Sequence, residues 1–384
     1  MRVLLTSTDN PYTTKLGGKH IHLLLLERGL KNLGLQVTAL YCDQQSLMMR
    51  MRKLILKCLP AEAGYRRKIR LLVDCLEKHV PEASFDIVHA HDVLSLLALR
   101  SVPQKKVLTL HGYFARENIE FIKSEENRKR IYPFLFEIEK EGMKNADYVI
   151  TVDQRLREYV LSEFSFPPDK VAVLHNAIDT ERFKPVSESE RDRLKENMGY
   201  DSTRFLVLVP RRLVEKNGVI YAVRAVRNVL DGRVELVIVG DGPERASIER
   251  EATGDERVRF VGAVPHDLMD SYYHMADVVL IPSVTSHGIQ EATSLAMLEA
   301  MACGKAVICS NIGGMKEIIR HMQDGVLVQE KDAAAIARAI ETLVNDQSLT
   351  GRLGRNAAQY VAENHSYTTH AAKVAQIYHT VLGK

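Results

Sequence analysis

Short runs of branched apolar residues alternate with amphipathic stretches along the whole chain. Val3–Leu5, Gln36–Leu40, Ile87–His89, Val107–Leu110, Tyr148–Val152 and Val171–Leu174 have the length and composition of buried strands, with room between them for helical crossovers. The rhythm restarts at Phe205–Val209 and continues through Leu236–Val239, Val258–Phe260, Val278–Ile281, Ala306–Cys309 and Gly325–Val328. Strands alternating with helices predict parallel sheets, and two such sets predict two α/β domains of similar size. Between them, Pro185–Ser202 is polar and charge-rich and predicts a linker over 185–202, with a short helix over Glu188–Met198. The expected division is 1–184, then that linker, then 203–365, with 366–384 a final helix packing back on the first domain. Helices are also expected over Ala333–Val344, Gly351–Glu363 and Tyr367–Leu382. A ligand shared by two such domains is expected at the carboxyl ends of the strands, in the cleft between them.

Composition narrows the class. The 384 residues are 46% hydrophobic and 26% charged, which is ordinary for a globular protein and excludes disordered, collagenous and membrane-bundle classes. No apolar run approaches the ~18 residues of a spanning helix. Only Val3, Leu4 and Leu5 follow the first basic residue, too few for a signal-peptide core, so a cytoplasmic address is expected. Five cysteines without a Cys-x-x-Cys pair favour neither a disulfide framework nor a thiolate zinc site. The net charge is +3, with the first half basic and the second slightly acidic. That excess is too small for a duplex-DNA binder and predicts no nucleic-acid partner, while leaving room for an anionic small molecule or membrane surface.

Three stretches carry candidate chemistry. Gly17-Gly18, opening a helical pattern after the first strand, can bring backbone N–H groups close to a phosphate. Gly-x-Gly-x-x-Gly cannot be written there, which removes the main support for a dinucleotide-dependent oxidoreductase. Arg211, Arg212 and Lys216, followed by Gly218, come directly after the strand Phe205–Val209, and cations at a strand's carboxyl end suit a diphosphate. Glu291 and Glu299 bracket a loop-to-helix transition whose amides near Ser294 and Leu295 suit a phosphate, while the carboxylates suit sugar hydroxyls.

These residues stand within a longer ordered pattern: Phe85-Asp-Ile-Val-His-Ala-His91, Leu110-His111-Gly112, Ala146-Asp-Tyr-Val-Ile-Thr-Val152 and His175-Asn-Ala-Ile-Asp179. The pattern continues through Val239-Gly-Asp-Gly-Pro243, Phe260-Val-Gly262, Gly313-Gly314-Met-Lys-Glu317 and Asp324-Gly325. The chain resembles the retaining glycosyltransferases of family 4, over nearly its whole length. The resemblance implies the GT-B fold, an α/β architecture of two facing Rossmann-like domains. It also implies roles: Arg212 and Lys216 on the donor's diphosphate, with Arg211 beside them, and Glu299 on the nucleotide ribose. Backbone around Gly262 and Val264 would meet the base, and Glu291 the donor sugar, with amides near Ser294 and Leu295 on the phosphate. Gly17 and Gly18 would approach the diphosphate, and His111 would lie against the sugar.

The chain departs from the family pattern where Asn217 separates Lys216 from Gly218, which leaves open which of the three cations reaches the phosphate. It departs again at Glu291-Ala292-Thr293-Ser294, which lacks the glycines usual there, and at Asn176-Ala177 in place of Asn-Gly. His89 and His91 straddle Ala90, but alternate strand residues face opposite sides and the sequence shows no third ligand, so no metal site is expected. No Asp-x-Asp occurs, and metal-independent transfer without a cofactor is expected. Leu47–Arg70 combines an apolar helical face with Arg50, Lys53, Lys57, Arg66, Arg67, Lys68 and Arg70, which suits either an anionic membrane surface or a core-packed helix with a wet basic face.

The expected function is transfer of a hexose-type sugar from a nucleotide-diphosphate sugar to a glycan, lipid-linked saccharide or small-molecule hydroxyl, in cell-surface polysaccharide synthesis. The rival readings are a GT-B epimerase or hydrolase and a non-catalytic nucleotide- or glycan-binding scaffold.

Overall fold

The computed structural model describes residues 1–12, 17–42, 61–81, 84–120, 122 and 124–384. They form two compact units, the first Met1–Asn176 with Tyr367–Lys384, the second Ala177–Ser366.

The first unit is a six-stranded parallel sheet of β1 (Arg2–Ser7), β2 (Gln36–Tyr41), β3 (Ile87–Ala90), β4 (Lys105–Leu110), β5 (Tyr148–Thr151) and β6 (Val171–Val173), in the order β2-β1-β3-β4-β5-β6. The order begins as in flavodoxin-like sheets, with its switch point between β1 and β3. Leu4, Val88, Leu108 and Val149 on one face and Val3, Leu5, Ile87, Val107 and Ile150 on the other are buried. Two apolar faces need helices on both sides, which is why these strands read as near-continuous apolar runs. On the second face the helix Gly18–Asn32 packs against the final helix Tyr367–Leu382, where a Cβ at Gly29 would stand 2.6 Å from that of Ala371.

The second unit is also a parallel sheet: β7 (Phe205–Pro210), β8 (Val234–Val239), β9 (Val258–Gly262), β10 (Val278–Ile281), β11 (Ala306–Ser310) and β12 (Val326–Val328), in the order β12-β11-β10-β7-β8-β9. Read from β9 this is the Rossmann order, and the chain reverses direction across the sheet between β7 and β10. β7, β8, β10 and β11 are buried on both faces as well, while the edge strand β9 is partly exposed.

All twelve expected strands are present. The 185–202 stretch differs from expectation, because it belongs to the second unit rather than linking two bodies. Lys195, on the helix Glu188–Asn197, is 1% exposed and pairs with Asp277 at 2.6 Å, and Tyr200 enters the core. A polar composition reads as a linker, and only the paired partner, 82 residues away, explains the buried lysine. Among the described residues no helix is long and apolar enough to cross a membrane.

Candidate donor site

In the second unit the loops after β7 and β10 meet at the switch point, where open α/β sheets place ligands. Glycines let them close on one another. Gly218 has φ +61°, and a Cβ there would overlap the Pro282 carbonyl oxygen; Gly240 has φ +148°, and a Cβ there would overlap that of Arg211. Gly240→Ala is therefore expected to cost about 1–3 kcal/mol by displacing the Arg211 backbone. Calorimetric melting checks this, and an unchanged transition would contradict it.

The three cations on the first loop have different environments. Arg211 is 8% exposed, whereas Arg212 and Lys216 are exposed. The Arg211 guanidinium donates to Ser294 Oγ at 2.9 Å, Asn217 Oδ1 at 2.5 Å and Ser283 Oγ at 3.1 Å, and pairs with Glu291. Ser283 Oγ also donates to Glu291 Oε2 at 2.6 Å, and Asn217 Nδ2 to the Arg212 carbonyl at 2.7 Å. Burial would raise the Glu291 carboxyl, but the Arg211 charge, the two donors and nearby Lys216 hold it below the usual value. Asn217, the residue that interrupts the family pattern, thus ties Arg211 to the loop that carries Arg212. No ion pair or side-chain hydrogen bond engages Arg212 or Lys216 among the described residues, so these two are the cations available to an anion.

Beyond β10, Ser294 caps the helix Leu295–Ala302, its Oγ accepting from Met297 N at 3.4 Å, and Arg211 bridges this helix N-terminus to Glu291. Glu299, buried one turn further along, accepts from the Tyr273 hydroxyl at 2.7 Å and lies 2.8 Å from His266 Nε2. Gly262, with φ +89°, ends β9, and Val264 follows it, partly buried against the core. The structure thus brings Arg211, Arg212, Lys216, Glu291, Ser294, Leu295 and Glu299 to the ends of β7 and β10, and Gly262 and Val264 to the end of β9.

In the first unit, Gly17 is the N-cap of Gly18–Asn32, its amide donating to His20 Nδ1 at 3.0 Å. Lys19 pairs with Asp9 at 2.6 Å and Asp92 at 3.2 Å, and Asp92 also accepts from Thr8 N at 2.8 Å and caps Val93–Ala98 through Ser95 N. His111, at the end of β4, has its Nε2 3.2 Å from His91 Nδ1, with the His22 ring edge-on at 4.7 Å. The next turn is fixed by buried Glu139, which accepts from Phe114 N, Ala115 N and the Tyr159 hydroxyl. Contrary to the alternate-face expectation, the His89 ring lies against that of His91, with centroids 4.3 Å apart, and its nitrogens are bonded to Tyr378 and Thr109 at 2.7 Å each. One nitrogen from each of His22, His91 and His111 lies within 4.8 Å of the others, a third-ligand arrangement the sequence did not show. The 3.2 Å contact between two ring nitrogens needs a proton on one of them, which a metal would have to displace.

Sequence reasoning missed Lys19, Asp92, Glu139, Ser283, His266 and Tyr273. They are positioning groups whose partners are remote in sequence. Leu47–Arg50, Lys53 and Lys57 lie outside the described residues; Ala61–Glu77 is helical, with Arg67, Lys68 and Arg70 exposed and Arg66 over the Phe134 ring.

Two doubly wound parallel units, the second with a cation loop and a helix N-terminus at its switch point, define a two-domain GT-B protein. Two family profiles match the chain, "Glycosyltransferase Family 4" over 16–182 and "Glycosyl transferases group 1" over 190–360. The chain belongs to glycosyltransferase family 4. It is 33% identical to an uncharacterized glycosyltransferase of Methanocaldococcus jannaschii over 60% of its length and 59% of the relative's. It is 27% identical to an alpha-D-kanosaminyltransferase of Streptomyces kanamyceticus over 63% of each chain. The matched region thus spans less than two thirds of either relative. Among solved structures it is similar to sucrose-phosphate synthase of Thermosynechococcus elongatus, with TM-score 0.78 and 21% identity over 100% of this chain and 99% of that one. It is likewise similar to HepE of Anabaena, solved with UDP and glucose, with TM-score 0.70 and 18% identity over 97% and 98% of the two chains. At these identities the likeness is one of fold.

Proposed function

We propose that the protein is a retaining glycosyltransferase that moves a hexose-type sugar from a nucleoside-diphosphate sugar to a hydroxyl of a glycan, lipid-linked saccharide or small molecule. The observation that carries this reading is the division of labour at β7: Arg211 is consumed in holding Glu291, while Arg212 and Lys216 stand exposed and, among the described residues, without side-chain partners, on the loop that Arg211 ties to a helix N-terminus at Ser294. Two exposed cations and helix N-terminal amides suit an oxygen-rich dianion, and they stabilise the charge that grows on the diphosphate as it leaves. In transfer with retention, the bond from the anomeric carbon to phosphate oxygen breaks and the acceptor oxygen bonds on the same face. The acceptor's proton passes to the departing phosphate oxygen. Glu291, fixed by Arg211 and Ser283, faces the sugar hydroxyls, and Gly17, Gly18 and His111 keep the roles the family resemblance implies. The cations perform the work a metal does elsewhere, so transfer is proposed to be metal-independent and cytoplasmic, with exposed Arg67, Lys68 and Arg70 attracting an anionic acceptor or membrane surface.

The test is thermal stabilisation by UDP, GDP, ADP, TDP and CDP, followed by donor-consumption assays with sugars of the nucleotide that binds. One nucleotide at a hundredfold excess over its Kd is expected to add about 2.7 kcal/mol of stability. No stabilisation by any of them would sink the donor site, and binding without turnover against any acceptor would favour the non-catalytic scaffold. Arg212→Ala and Lys216→Ala are each expected to leave the melting temperature unchanged and lower turnover roughly 10²-fold, the usual cost of one lost donor to a developing anion. Full turnover in both variants would remove these residues from the mechanism.

A further inference from the structure

Two cysteines meet in the first unit. Cys42 directly follows β2, where its amide donates to the Ser7 carbonyl at 3.3 Å, and it is 0% exposed. Cys75 comes 33 residues later, near the end of the helix Ala61–Glu77, and is half-buried. Their Sγ atoms lie 2.6 Å apart, and no bond joins them in the structure. Apolar packing brings them together: Leu72 and Leu76 of the helix share one buried cluster with Leu4, Leu40 and Cys42 of the sheet, and Cys75 packs against it. No Cys-x-x-Cys spacing announces the contact, because it depends on the helix between β2 and β3 folding back over the sheet.

Cys303 and Cys309, in the second unit, are built differently. They are 2% and 0% exposed, and burial pushes both thiols up, away from the thiolate that reacts with oxidants. A disulfide requires two side chains directed at one another, with sulfurs that can close to about 2.05 Å. Cys42 and Cys75 meet that requirement before any oxidant arrives, and the half-buried member gives the oxidant a point of entry.

We propose that Cys42 and Cys75 are a redox-modification site, which a peroxide converts to an intrachain disulfide that fastens the helix Ala61–Glu77 to the carboxyl end of β2. The Cys75 sulfur bonds to one peroxide oxygen as the O–O bond breaks, and the other oxygen leaves as water. The Cys42 sulfur then attacks that of Cys75: the S–S bond forms, the S–O bond breaks, and the hydroxyl departs with the Cys42 proton as a second water. Two thiols lose two electrons and two protons, and the peroxide takes up both. In a reducing compartment the pair rests as thiols, and exchange with small thiols reverses the bond. The bond closes residues 42–75 into a loop and holds in place the helix that presents Arg67, Lys68 and Arg70. A cross-link of that span restricts mainly the unfolded chain, so oxidation is expected to raise the melting temperature of the first unit by about 5–10 °C.

The experiment treats the reduced full chain with hydrogen peroxide, removes the excess with catalase, unfolds the chain in acidic guanidinium and alkylates the remaining thiols. The reduced chain is expected to take five labels, one on each cysteine. The oxidised chain is expected to take three, with Cys42 and Cys75 in one cross-linked pair of tryptic peptides, and dithiothreitol is expected to restore all five. Five labels after oxidation, a cross-link that involves Cys58, or sulfinic acid in place of a cross-link would each overturn the proposal. Calorimetry of the two forms adds a test of the folded state: a correctly mapped bond that lowers the melting temperature would show that the fold does not hold the two sulfurs ready to join. Cys75→Ser is expected to keep all its labels and an unchanged melting temperature under the same oxidation. Loss of two labels in that variant would place the bond elsewhere and remove the assignment.

Discussion

Arg211→Met is expected to destabilise the protein by about 3–5 kcal/mol, the cost of breaking an ion pair whose arginine is buried and whose carboxylate is largely so. Arg211 is paired with Glu291, and the same guanidinium satisfies Ser283, Ser294 and Asn217. Methionine fills the volume and restores none of these donors. For a unit of this size the loss corresponds to a fall of roughly 6–20 °C in melting temperature, at about 2–4 °C per kcal/mol. Differential scanning calorimetry reads it directly. The pair Arg211→Met with Glu291→Leu is expected to lose clearly less than the sum of the single losses, because the two residues share one ion pair that either change breaks. Strict additivity, or a melting temperature within a degree of wild type for Arg211→Met, would mean that Glu291 is solvated and that its place in the site is wrong. The contrast with Arg212→Ala is the sharper part of the expectation: of two adjacent arginines, one is expected to support the fold and the other the chemistry.

That distinction marks the limit of what the sequence shows. The central strands were legible because each is buried on both faces and therefore reads as a run of apolar residues, as Phe205–Pro210 and Val278–Ile281 do, while the edge strands β2 and β9, more exposed, were legible from their branched residues. Loop chemistry was legible where glycine is required: the pattern Val239-Gly-Asp-Gly-Pro243 marks the place where Arg211 and Leu213 press against the chain. What Arg211, Arg212 and Lys216 each do was not legible, since the alternation of buried and exposed side chains in an irregular loop follows no period. The clamp on Glu299 was hidden for another reason. His266 and Tyr273 lie 33 and 26 residues away from it, on the connection between β9 and β10, and only the packing of the helix Met269–Met275 beside Leu295–Ala302 reveals them as its partners. The same holds for 185–202, whose charges read as solvated until Lys195 is found against Asp277. His22 was visible as a helical position and His91 as a strand position, but their meeting with His111 depends on the order β1-β3-β4.

That meeting carries the second large expectation: stability should fall steeply below about pH 6.5. Burial, first among the causes in each case, pushes His22, His91 and His111 well below the ordinary imidazole value and His89 down to about 3, and their mutual repulsion adds to it. The charged neighbours do not reverse this. Lys19 faces the cluster and disfavours further positive charge, its countercharges Asp9 and Asp92 are engaged with it, and His370 packs edge-on against His22. In the unfolded chain these histidines titrate near 6.5. Their contribution is therefore fully present above about pH 6.5, and it is lost as the pH falls and the unfolded chain takes up protons the fold refuses. Each unmatched proton is worth about 1.4 kcal/mol per pH unit. Glu139 works in the other direction: burial raises its carboxyl to about 6 from 4.5, so between those values the fold holds one proton more than the unfolded chain and offsets one histidine. The net slope between pH 6 and 5 is then at most about 4 kcal/mol per pH unit. Urea unfolding at pH 7.5, 6.5, 5.5 and 5.0 measures it, and His89→Gln is expected to shallow the slope by about one proton even though it lowers stability at every pH. A flat profile from 7.5 to 5.0 would show that the imidazoles are protonated in the fold, and the histidines could then no longer be read as a buried neutral cluster behind His111.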